Sequence, residues 1–107
     1  MGLIRRKSDL TPVDMLVLEA GTLMESTPER AAAGIGRPGS TPGYRILAIG
    51  RRIVVYCLED RSMSDFESRQ RAFAARIGPV LTKRFGEERV KPIRYEGIYY
   101  GFEVRMV

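Results

Sequence analysis

The sequence predicts an α+β domain in which two helices pack on one face of an antiparallel sheet, in the order helix, short helix, β-hairpin, long helix, β-hairpin. Three observations carry this. Apolar residues recur at helical spacing over 13–24 and again over 66–81. Two runs rich in Ile, Val, Leu and Tyr flank Gly50-Arg51. Residues 98–107 alternate between an apolar and a mixed face. With 107 residues and 12.1 kDa, one domain is expected over 11–107, behind a basic lead-in at 1–10.

The first helix has a clear start. Thr11 can cap it, Pro12 suits the first helical position, and Asp14 meets the positive end of the helix dipole. Val13, Leu16, Val17, Ala20 and Leu23/Met24 form a core stripe. Met15 and Leu18 fall outside it, on a second flank shared with Thr22 and Glu25. A lone surface helix rarely needs apolar residues on both flanks, so a second element or a second subunit is expected to cover this one. Met15, Leu18 and Thr22 are therefore the candidate partner interface.

Thr27-Pro28-Glu29 repeats the cap-and-proline signal and starts a short helix through Ala33, which Gly34 can end. Residues 34–43 carry four glycines and two prolines, the composition of a mobile loop. Tyr44 to Glu59 reads as a hairpin closed by a two-residue Gly50-Arg51 turn. Counting outward, Ala48 faces Ile53, Ile46 faces Val55, and Tyr44 faces Cys57. The other side carries Ile49/Arg52, Leu47/Val54 and Arg45/Tyr56. Its mixed character implies partial cover on both faces.

Ser64-Asp65-Phe66-Glu67 fits the S-x-x-E capping box, and the stripe Phe66, Gln70, Phe73, Ala74, Ile77, Leu81 follows it. Asp65/Arg69 and Glu67/Arg71 are i,i+4 pairs in the favourable order. Pro79 is expected to kink or restart this helix, which should end near Phe85-Gly86. In the last segment Ile98, Tyr100, Phe102, Val104 and Met106 form the apolar face. Val90 to Tyr95 can pair with it through Glu96-Gly97, and Pro92 would place that run at a sheet edge.

The chain holds 18 basic and 13 acidic residues, net +5, with no histidine. Its longest uncharged run is seven residues, Pro38 to Tyr44, so no membrane span is expected. The N-terminus lacks an apolar stretch of secretory type. One cysteine allows no internal disulfide, and Cys57 lies mid-strand among apolar neighbours, the setting of an inert core thiol. A cytoplasmic protein is expected. Without histidine the usual nucleophile–base pairs cannot be assembled, so no catalytic residues, no metal and no cofactor are expected. Gly34-Ile35-Gly36-Arg37-Pro38-Gly39 spells a dinucleotide-type pattern, but with a helix before and a strand after it, the reverse of the order phosphate binding requires. Tyr100-Gly101-Phe102 matches the aromatic strand of RNA-recognition domains only in part, because Glu103 replaces an aliphatic residue and the rings fall on the core face.

Two function classes survive. The first is a small non-catalytic binding or assembly module that pairs with itself, or docks as an adaptor on another protein. The alternative is a basic nucleic-acid-binding protein using Arg69, Arg76, Lys83 and Arg94 with Tyr99 and Arg105. Arginine offers the planar donor fork that phosphate and carboxylate prefer, and Tyr99 with Arg94 and Arg105 would make a small basic-aromatic patch.

Overall fold

The computed structural model describes residues 11–26 and 43–106. The basic lead-in, the short helix after Thr27, nearly all of the 34–43 loop and Val107 lie outside the described residues. The elements are α1 (Pro12–Ser26), β1 (Tyr44–Ile49), β2 (Arg52–Cys57), α2 (Phe66–Phe85), β3 (Val90–Tyr95) and β4 (Tyr99–Arg105). The strands form one antiparallel sheet in the order β1-β2-β4-β3. Fold class and element order are those the sequence predicts.

α1 begins as its sequence dictates. The Asp14 amide donates to Thr11 Oγ1 at 3.1 Å and the Thr11 amide donates back to Asp14 Oδ2 at 3.0 Å, so each side chain satisfies an amide that the helix cannot. The core face of the helix buries Leu16, Ala20 and Met24. These meet Ile53, Val55 and Cys57 from β2 and Phe102 and Val104 from β4, together with Phe73, Ile77, Leu81 and Phe85 from α2. Close approach of α2 to the sheet depends on Gly78. A Cβ there would sit 2.9 Å from the Phe102 ring.

The β1–β2 register is the counted one, from Tyr44↔Cys57 to Ile49↔Arg52. A tight turn fixes pairing residue by residue, and a one-residue slip would have turned Ile53, Val55 and Cys57 to the wrong face. Pro92 lies on β3, an edge strand, where its missing amide removes no ladder bond.

Three local expectations are corrected. Ser64 does not cap α2. Successive turns (Met63 amide to Asp60 carbonyl, Phe66 amide to Met63 carbonyl) delay the helix to Phe66, and Asp65 at the cap position makes no side-chain cap bond. Arg69 pairs with Glu59 rather than with Asp65, at 2.8 Å. The helix also runs unbroken through Pro79 to Phe85. Pro79 and Ala75 both face solvent, where water can serve the Ala75 carbonyl that the proline leaves without a donor.

Gln70 occupies a stripe position yet does polar work. Pairing of β2 with β4 ends at Tyr56↔Gly101. One step beyond, the fully buried Gln70 inserts its amide between the strands: Nε2 donates to the Cys57 carbonyl at 3.2 Å, and Oε1 accepts the Tyr100 amide at 2.7 Å. The side chain thus replaces a missing rung and leaves neither backbone group unpaired.

Candidate functional site

The exposed flank of α1 borders a groove of about 720 Å³ between that helix and the C-terminal end of α2. Pro12, Met15, Leu18 and Thr22 form its α1 wall, Leu16 and Leu23 reach into it, and Met106 lies beneath. Met15 is 37% exposed and Leu18 55%, in a helix whose opposite stripe is sealed. The three residues expected at an interface, Met15, Leu18 and Thr22, are thus brought together.

The far wall is cationic. Arg84 forms an ion pair with Glu19 that ties α2 to α1 across the rim. Arg84 and Arg89 both lie over the Phe85 ring, at 5.7 and 5.5 Å, and Arg89 Nε donates to the Arg105 carbonyl at 2.8 Å. Cations held over a ring face in this way shield Phe85 while keeping their charge at the surface. The groove therefore offers apolar contact along its length and a largely balanced rim.

The candidate anion contacts are dispersed. Arg69 is nearly buried against Glu59, whose Oε1 also accepts the Gly43 amide at 2.9 Å. Arg76 and Lys83 are exposed on α2, seven residues or about 10 Å apart. Arg94 lies over the Tyr100 ring at 4.3 Å and donates to the Tyr100 hydroxyl, which donates to Glu67 Oε1 at 2.7 Å. Glu67 in turn meets Arg71 at 3.4 Å, so one carboxylate serves both cations and the Arg94 charge is offset in part. Tyr99 sits on the other face of the sheet. Arg105 shares that face but lies six residues along β4, about 20 Å away. The expected patch of Tyr99, Arg94 and Arg105 is not assembled, because neighbouring β3–β4 positions point to opposite faces.

The fold gathers a different set, of which sequence reasoning singled out Arg105 alone. Arg52 stands directly opposite Arg105, and both join Arg51 and Glu103 around a shallow hollow of about 390 Å³. The signal was present in the mixed faces of two segments, but the pairing of β2 with β4, remote in sequence, is what unites them.

Cys57 is buried, and its thiol is pushed up to about 12, chiefly by burial and further by the Glu59 carboxylate, with Arg69 opposing. A thiol held protonated in this way is a poor nucleophile. Among the described residues no cluster of three or more His, Cys, Asp or Glu is placed to hold a metal ion, and no helix is long and apolar enough to cross a membrane.

No protein-family model, curated protein or solved structure matches the chain.

Proposed function

We propose that this protein is a non-catalytic assembly module that pairs with a second copy of itself through the exposed flank of α1. The observation that carries the reading is the apolar groove beside Met15, Leu18 and Thr22. A two-fold arrangement places the same patch on both copies, so the protruding Leu18 of each can enter the other's groove. The Glu19–Arg84 pair lowers the charge at the rim, which matters for a chain of net +5 approaching its own copy. A stable pairing of this kind hides on the order of 800 Å² per copy. Once assembled, the pair would present two identical surfaces to a larger protein partner. The free, buried thiol agrees with a reducing compartment such as the cytoplasm.

The test compares Leu18→Glu with Leu58→Glu, since Leu58 is a similarly exposed leucine (43%) remote from the groove. Size-exclusion chromatography with light scattering should give a dimer mass for the wild type and Leu58→Glu, and 12.1 kDa for Leu18→Glu. A Leu18→Glu chain that keeps the dimer mass would refute the reading.

A further inference from the structure

The sheet has a second face that no described helix covers. Alternation from the β1–β2, β2–β4 and β3–β4 registers puts Arg45, Arg52, Lys91 and Arg105 on it, opposed on the strands by the carboxylate of Glu103. Arg51 adds a fifth cation at the hollow shared with Arg52 and Arg105. Five cations against one carboxylate leave net +4 there, out of +5 for the whole chain. The helix-covered face, in contrast, carries Arg94 as its strand cation, and that group is already engaged by Tyr100.

Charge concentrates at one end. Arg52 and Arg105 are directly opposite across the β2–β4 pair, a like-charge placement that disfavours pairing. Glu103 relieves Arg52 alone, at 3.4 Å. The other end is aromatic. Tyr56 stacks on Tyr95 at 4.4 Å and leans on Tyr99 at 5.7 Å, while Phe66 meets the edge of Tyr99. Gly101 makes this possible. It stands opposite Tyr56, and a Cβ there would lie 2.7 Å from the Tyr56 Cβ and 2.5 Å from the Val55 carbonyl oxygen. Tyr56 is buried beneath the cluster, whereas Tyr95 and Tyr99 remain partly exposed.

We propose that this face binds single-stranded nucleic acid, with phosphates on Arg51, Arg52 and Arg105 and bases against Tyr95 and Tyr99. The occupant follows from the pairing of the two ends. Three guanidinium groups that share the single carboxylate of Glu103 attract phosphate, and ring faces within about 20 Å of them along β4 offer stacking to unpaired bases. A duplex keeps its bases stacked inside, and a flat sheet presents no helix or ribbon to enter its groove. This site lies on the opposite side of the sheet from the α1 groove, and neither proposal rests on the other.

The test is fluorescence anisotropy of the full chain with a labelled mixed-sequence single strand, its duplex, polyglutamate and phosphatidylserine vesicles. The single strand should bind more tightly than the other three. With three or four phosphates neutralised, the logarithm of affinity should fall against the logarithm of salt with a slope of about −2 to −3. Arg105→Glu should weaken binding about tenfold or more, and Tyr99→Leu about tenfold. Glu103→Gln, which frees Arg52 and removes the opposing negative charge, should tighten binding several-fold. No anisotropy change at low salt, equal or tighter binding of duplex, polyglutamate or vesicles, or an unchanged affinity in Glu103→Gln would each overturn the proposal.

Discussion

The two flanks of α1 are built from the same kinds of residue and meet opposite fates. On one, Leu16, Ala20 and Met24 are sealed in the core over β1 and β2, with Ala20 and Met24 fully buried. On the other, one or two positions away in sequence, Met15 and Leu18 stand in solvent beside a groove. Intrinsic helix propensity does not distinguish Leu16 from Leu18. The difference lies in what the rest of the chain supplies: a full sheet face on one side, and on the other the charged end of α2. An apolar flank left over by a completed core stays at the surface, where interaction sites are commonly found.

The comparison can be strained from both sides. The largest effect belongs to the shared core. Phe73→Ala should cost about 3–5 kcal/mol in denaturant unfolding, because the ring is almost fully buried in that core. On the sealed flank Met24→Ala should cost about 2–5 kcal/mol. Thr11→Ala removes the cap that serves both flanks and should cost about 1 kcal/mol. At the outer flank, Leu18→Ala should change the stability of the monomer by less than about 0.5 kcal/mol while weakening self-association. If Met24→Ala and Leu18→Ala destabilise the monomer equally, the distinction between the flanks is lost. Ser64→Ala should also fall within about 0.5 kcal/mol, since Ser64 makes no cap bond to α2.

Features set by local counting were legible in the sequence. The Thr11-Pro12 start, the two flanks of α1, the β1–β2 register and the edge position of β3 all follow from spacing, a two-residue turn or a missing amide. What stayed hidden depends on contacts remote along the chain. Arg69 looks like a free surface cation until the β2–α2 connection brings Glu59 to it. Gln70 looks like an interruption of an apolar stripe until β2 and β4 part beneath it. Arg52 and Arg105 become neighbours only because the second hairpin lays β4 beside β2. Met15, Leu18 and Thr22 share one flank because they lie on one helix, whereas of the basic set scattered over three elements only Arg105 was singled out. Periodicity locates residues on their own element; it does not say which elements meet.

Sedimentation equilibrium of the unaltered chain, over a wide concentration range and at low and high salt, tests the assembly claim most directly. A buried apolar interface predicts a mass rising with concentration toward twice 12.1 kDa, with little dependence on salt. A mass of 12.1 kDa at every concentration would contradict it.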